Sequence, residues 1–192
     1  MTSFSRESLP HDIQGYMNES ESSSMQEFEQ KRPYPFLLYA RSQLWDPTLL
    51  VSKQSGGMGE ETRLVNYNID SGGVTFLSPI RKTQSDDRLA GILLGRGTTG
   101  NDVVVPVSSV SNKHARFLPP GASGNTAWNI VDLDSRNGTF LGEDRIQAQL
   151  PVDLEDGCYL RLGGNLIAWF LYPGRLWQLL HQPEELSRLT DL

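Results

Sequence analysis

Residues 92–107 read ILLGRGTTGNDVVVPV, and within them Gly95-Arg96-Gly97-Thr98-Thr99-Gly100 match the letters G-x-G-x-x-G. These letters occur in two unlike settings. In a dinucleotide-binding unit a strand leads into the glycines and a helix comes after them, whose free N–H groups and dipole hold a pyrophosphate. Ile92, Leu93 and Leu94 supply the strand. After the glycines, however, the chain continues as Asn101-Asp102-Val103-Val104-Val105-Pro106-Val107, a β-branched run with a proline in it, and both features disfavour helix. The ribose-binding acid expected about 20 residues further on is also missing, because no Asp or Glu occurs between Asp102 and Asp132. The glycines therefore read as a turn between two strands, and Arg96 is left to meet some other anion.

Working outward, strand signals bounded by turn residues recur at short intervals. Expected strands are Thr62–Ile69, Val74–Leu77, Leu89–Leu94, Asp102–Val105, His114–Leu118, Thr126–Val131, Thr139–Leu141, Arg145–Leu150, Tyr159–Leu162 and Leu166–Tyr172. Asp70-Ser71-Gly72-Gly73, the PPGASGN stretch at 119–125, Gly157 and Gly163-Gly164 punctuate them. Many short strands joined by glycine-rich turns predict an all-β fold, a sandwich or a barrel. Only the end of the chain has helical spacing. Leu176, Trp177, Leu179 and Leu180 share one face, and Pro183 can start a second short helix over Glu184–Leu189.

The 192 residues suffice for one domain with appendages. Residues 1–32 carry Glu7, Asp12, Glu19, Glu21, Glu27 and Glu29 and include ESESSSMQEFEQ; polar, acidic composition predicts a disordered tail. Residues 33–60 form an extension of unassigned role, apolar but interrupted by Pro33, Pro35 and Pro47. The sandwich is expected over 61–173 and a helical tail over 174–192. A single cysteine, Cys158, excludes an internal disulfide framework and suits a reducing compartment. The expected localisation is cytoplasmic: no run of about 18 apolar residues marks a membrane span, and the first residues lack the basic start and apolar core of a signal peptide. A net charge of −6 argues against bulk nucleic-acid binding. From Arg88 to Arg116, however, Arg88, Arg96, Lys113 and Arg116 face only one acid, Asp102, so a locally positive segment sits inside an acidic chain.

Three pieces at strand ends or in loops carry the chemistry: Gly95-Arg96, Ser111-Asn112-Lys113-His114 and Asp134-Ser135-Arg136-Asn137-Gly138-Thr139-Phe140. Loops at one end of a sandwich converge, so distant segments can build one site. The set is rich in hydrogen-bond donors and suits a phosphate dianion. An arginine grips two phosphate oxygens with its planar fork, a serine hydroxyl reaches a third, and an asparagine can pair with an extended peptide backbone.

In order and spacing the pieces LGR, SNKH and SRNGTF resemble a forkhead-associated (FHA) domain, over roughly residues 72–173. The resemblance implies an FHA-like β-sandwich of two twisted, mostly antiparallel sheets that binds a phosphothreonine-containing protein through loops at one end, with no catalytic residue, cofactor or metal. It implies that Arg96 and Ser111 contact the phosphate and that Asn137 holds the peptide backbone. Asn112 and Arg136 would line the site and Lys113 would add charge. Gly95, His114, Gly138 and Thr139 would be architectural. The chain departs from the family pattern after Phe140-Leu141, where Gly142-Glu143-Asp144 replaces the frequent Asn-Gly turn.

Other chemistries fit the residues less well. Ser111, His114 and Asp132 or Asp134 have the residue types of a hydrolase triad, but no G-x-S-x-G elbow accompanies them. Three histidines and one cysteine, widely scattered, make a poor ligand supply for a metal. Asn137-Gly138-Thr139 is also a glycosylation sequon, without a secretory signal to give it access. The alternative from a different class is a phosphate-independent scaffold that binds a protein through a sheet face or through the extension.

Overall fold

The computed structural model describes residues 10–40, 75–83, 91–124 and 126–191. The strand expected over Thr62–Ile69, the turn after it, residues 41–60 of the extension and Arg88 lie outside the described residues.

Two sheets carry the fold. Their strands are β1 (His11–Asp12), β2 (Phe36–Tyr39), β3 (Phe76–Pro79), β4 (Ile92–Gly95), β5 (Val103–Val104), β6 (Ala115–Leu118), β7 (Asn129–Asp132), β8 (Thr139–Leu141), β9 (Asp144–Arg145), β10 (Pro151–Asp153), β11 (Tyr159–Leu162) and β12 (Leu166–Leu171). One sheet has the order β1-β3-β2-β12-β11-β8-β9 and the other β10-β7-β6-β4-β5. Among the described residues every pairing is antiparallel except β4 with β5, where Leu94 lies beside Val103 and Gly95 beside Val104. That parallel step takes the chain out through the Gly95–Gly100 turn and back along the same edge, the strand-turn-strand reading of the glycine motif.

The two sheets enclose a core of Leu37, Tyr39, Ile92, Leu94, Phe117, Ile130, Leu160, Ala168 and Phe170, with Phe117 and Phe170 stacked at 6.4 Å. A second apolar layer lies on the other side of the seven-stranded sheet, under four helices: α1 (Gln14–Glu21), α2 (Met25–Lys31), α3 (Pro173–Leu180) and α4 (Pro183–Thr190). Phe36, Leu38, Leu77, Trp169 and Leu171 of the sheet meet Ile13, Tyr16, Phe28, Leu176, Leu179 and Leu186 there. Strands buried on both faces read as continuous apolar runs rather than alternating ones, which accounts for FLLY in β2 and LIAWFL in β12. In β12, Leu166, Ala168 and Phe170 belong to the inter-sheet core; Trp169 and Leu171 belong to the helical layer.

Over residues 10–32 this layer corrects the expectation of a structureless tail, and with β2 it carries the sheet to residues before 61, while residues 1–9 lie outside the described residues. Acidity and serine content suggest a tail, but three apolar residues anchor the segment: Ile13, Tyr16 and Phe28 are all buried. Full burial of such a side chain is worth about 1.5–3 kcal/mol, a contribution toward ordering the segment. Ser24 caps α2 through a capping box: its hydroxyl accepts from the Glu27 N–H, and Glu27 reaches back to the Ser24 N–H at 2.8 Å. Glu19 of α1 pairs with Lys31 at 2.6 Å and with Arg32, and the Arg32 guanidinium stacks on Tyr16 at 4.4 Å. The apolar stretch of the extension is strand β2, paired with β12 from Phe36↔Leu171 to Tyr39↔Ala168 and with β3. The two expected C-terminal helices are present, each with proline at its first turn. α3 packs against both N-terminal helices; the Trp177 indole donates to the Ser23 carbonyl at 3.2 Å.

Candidate functional site

The loops after β4, before β6 and before β8 meet at one end of the sandwich, and backbone hydrogen bonds stitch them together. Arg96 N–H donates to the Ser111 carbonyl at 2.8 Å, and Gly97 N–H to the Asn112 carbonyl at 3.1 Å. The crossing at Gly95 is so close that a β-carbon there would lie 2.2 Å from the Asn112 carbonyl oxygen. Glycine is therefore required for approach. Asn101, 1% exposed, clamps the same crossing: its Nδ2 donates to the Gly97 and Asn112 carbonyls at 2.8 and 2.7 Å.

Arg96 is half-buried, and its Nε donates to the Val110 carbonyl at 3.1 Å. One edge of the guanidinium is thereby fixed to the neighbouring loop. Arginine carries five N–H donors; the remaining four make no hydrogen bond or ion pair among the described residues. A pre-oriented fork with unused donors is the arrangement that bidentate anion binding needs.

Ser111 sits between two supports. Its hydroxyl oxygen accepts from the Arg136 N–H at 3.0 Å, and its own N–H donates to His114 Nδ1 at 3.0 Å. The Ser111 hydroxyl proton is left to be donated elsewhere. Asn137 is exposed, but its Nδ2 donates to the Ser109 carbonyl at 2.8 Å, which ties the third loop to the second and leaves the carboxamide oxygen available as an acceptor. Arg96, Ser111 and Asn137 thus lie in one connected cluster. Asn112 contributes its carbonyl to the framework, and Arg136 its N–H. The side chains of Asn112, Lys113 and Arg136 are exposed and make no hydrogen bond or ion pair among the described residues.

His114 is fully buried, and burial lowers its pKa, against the smaller opposing influence of Asp132 and the Gly138 backbone. Because Nδ1 accepts a hydrogen bond, the neutral ring carries its proton on Nε2. The nitrogen nearest Ser111 is occupied by backbone N–H rather than turned toward the hydroxyl, which is not the geometry of a nucleophile and its base. Asp132 is likewise committed. Its carboxylate accepts from Ser135 N–H at 2.9 Å, Ser135 Oγ at 2.6 Å and Thr139 Oγ1 at 2.6 Å. Burial alone would raise its pKa; these hydrogen bonds outweigh burial and hold it below the usual carboxylate range. They also fold the 133–138 loop, in which Asp134 and Gly138 take positive φ values of 55° and 84°. No group of three or more His, Cys, Asp and Glu side chains among the described residues is placed to hold a metal ion.

Three supports escape a reading of the sequence. Asn101 is visible there only as a polar residue beside a β-branched run, and Asp132 only as a rejected triad candidate, not as the brace of the 133–138 loop. Gly163, in sequence a hairpin punctuation mark, has φ +65° and lies against the second loop, where a β-carbon would come within 2.4 Å of the Ser109 carbonyl oxygen. Its N–H donates to the Gly138 carbonyl at 3.0 Å, so the β11–β12 turn braces two site loops at once.

The family model that matches the chain is that of the FHA domain, over residues 92–163. An FHA domain-containing protein of Arabidopsis thaliana is 38% identical over 72 residues, which are 38% of this chain and 18% of that protein. The FHA domain-containing protein FhaB of Mycolicibacterium smegmatis is 33% identical over 76 residues, 40% of this chain and 44% of that one. The chain thus spans less than half the length of either relative. Among solved structures, the FHA domain of an Arabidopsis thaliana hypothetical protein is 29% identical, covers 43% of this chain and 66% of its own, and superposes with a TM-score of 0.39. The matched segment runs from β4 to the end of β11 and contains all three site loops. Residues 92–163, which hold all three site loops, are thus similar to the FHA domain family.

Proposed function

We propose that the chain binds phosphothreonine-containing peptides at the Arg96–Ser111–Asn137 cluster and acts as an adaptor downstream of a Ser/Thr kinase in the cytoplasm. Recognition of phosphorylated motifs by clustered donors is the mode FHA domains use. The observation that carries the reading is the Arg96 guanidinium, fastened by Nε to Val110 with its other donors unused, beside a Ser111 hydroxyl whose proton is free to donate. In this reading Arg96 grips two phosphate oxygens, Ser111 donates to the third, and Asn137 pairs with the peptide backbone. Asn112, Lys113 and Arg136 line the rim; Gly95, His114, Gly138 and Thr139 hold its shape.

An oriented phosphothreonine peptide library presented to the full chain tests this. Binding is expected for phosphothreonine and not for unphosphorylated threonine. Arg96→Ala is expected to abolish it while the melting temperature stays close to that of the wild type. Equal binding of phosphorylated and unphosphorylated peptides would favour the phosphate-independent scaffold instead.

A further inference from the structure

Arg145 lies on the strand that comes after the site loops, and its side chain returns toward them. Its guanidinium covers the bare α-carbon of Gly138: a β-carbon there would sit 2.6 Å from Nε and 3.2 Å from Nη2. Gly138 immediately succeeds Asn137, so the Arg145 cation borders the residue assigned to the peptide backbone. Arg145 is exposed and makes no ion pair among the described residues.

Acids are at hand, yet each is turned elsewhere. Glu143 accepts from the Tyr159 hydroxyl at 2.6 Å and pairs with Arg161 at 3.6 Å, while Arg161 itself stacks on Phe140 at 4.1 Å. Asp144 pairs with Leu141 while Arg145 pairs with Phe140, so the two neighbours project from opposite faces of the ribbon. Asp134 accepts from Gln149 at 2.8 Å, and Asp132 is consumed inside its loop. This end of the molecule therefore carries Arg96, Lys113, Arg136 and Arg145 with no carboxylate aimed at them among the described residues. A phosphate dianion answers about two of those charges; the rest are unanswered.

We infer that Arg145 forms a second anionic subsite, which binds an acidic or phosphorylated side chain flanking the phosphothreonine on the peptide's Asn137 side. The inference rests on the phosphothreonine reading and extends it to the ligand's sequence. The glycine at 138 is what lets the guanidinium lie flat at the rim, because any side chain there would lift it away. Carboxylate and phosphate can each present two oxygens to the planar fork of arginine.

Binding of the full chain to fluorescent peptides would test it. One phosphothreonine peptide has neutral flanks; in two further series a single Glu or a single phosphoserine is walked along the flanking positions. At one position, or two adjacent ones, the acid is expected to tighten binding about three- to tenfold, the size of a partly exposed charge-assisted contact. Arg145→Ala should erase that gain while binding to the neutral peptide stays within about twofold. Arg116→Ala, which removes the same charge from an exposed position on β6 in the other sheet, should leave the gain intact. A larger gain from phosphoserine assigns the subsite to a second phosphate, and a larger gain from Glu to a carboxylate. Wild-type binding with no flank preference, or a preference that survives Arg145→Ala, overturns the inference and leaves the phosphothreonine site standing. Failure of every phosphothreonine peptide to bind wild type overturns the functional reading beneath it.

Discussion

The backbone N–H of Ser111 donates to Nδ1 of His114 at 3.0 Å, so the residue assigned to the phosphate is held by a ring that must stay neutral. An imidazolium has no lone pair on Nδ1 to offer. The position of the Ser111 loop is therefore tied to the protonation state of a fully buried histidine.

Stability should depend on pH accordingly. Burial keeps the His114 pKa below its ordinary value in the folded state, whereas the unfolded chain takes a proton near pH 6.5. Above that pH both states are neutral and the residue adds no pH dependence. As pH falls below about 6.5 the unfolded state alone is protonated, and stability drops by up to about 1.4 kcal/mol per pH unit until the folded pKa is reached. Asp132, with its lowered pKa, contributes stability at neutral pH that is lost only at more acidic pH, below the usual carboxylate range. Urea denaturation between pH 7.5 and 5 should show this slope for wild type and a flatter one for His114→Asn. Parallel curves would mean that His114 is not the group responsible.

Peptide affinity should also fall with acid, for a separate reason. The second ionisation of a phosphate lies near pH 6, so the ligand becomes a monoanion as pH is lowered from 7.5 to 5.5. Arg96→Lys should bind poorly throughout, because an ammonium is a point charge and cannot reproduce the planar fork. A lysine variant with wild-type affinity would contradict two-oxygen recognition.

Glycine substitutions should separate by geometry. At Gly95 an alanine β-carbon meets the Asn112 carbonyl oxygen at 2.2 Å, and at Gly97 the same atom at 3.2 Å. Overpacking against backbone that cannot yield costs roughly 1–3 kcal/mol or more, so Gly95→Ala should lower the melting temperature well below that of Gly97→Ala. Asn101→Ala removes two hydrogen bonds to carbonyls at the same crossing and should cost about 1–3 kcal/mol. It should also weaken peptide binding, although Asn101 is buried beneath the loops. Equal melting temperatures for the two glycine variants would mean that the crossing is more yielding than its spacing indicates.

Removal of residues 1–60 should unfold the protein rather than trim it. Strand β2 sits between β12 and β3 with all four residues buried, and α1 and α2 cover the sheet behind it. Circular dichroism should show loss of the cooperative melt in the truncated chain. Ser24→Ala, which removes only the capping hydroxyl, should cost about 1 kcal/mol. A truncated chain that melts like the full one would place the domain boundary near residue 61 after all.

The strand-turn-strand reading of 92–107, most of the short β elements after it and the grouping of LGR, SNKH and SRNGTF were legible in the sequence, because turn glycines, β-branched runs and donor-rich loops are local signals; the strand expected over Arg145–Leu150 is instead the end of β9 and a turn that leads into β10. The role of residues 10–40 was not legible. The composition up to residue 32 is that of a tail, and only the apolar face presented by Leu38, Leu77, Trp169 and Leu171 makes Ile13, Tyr16 and Phe28 worth burying. Nor does the chain's order reveal that Asn101 clamps the Gly95 crossing, that Gly163 braces the Ser109 loop, or that Arg145 lies on Gly138. Those contacts join residues from 4 to 54 positions apart, and burial and hydrogen bonding between separate loops depend on how sheets and loops pack, which local propensity does not encode.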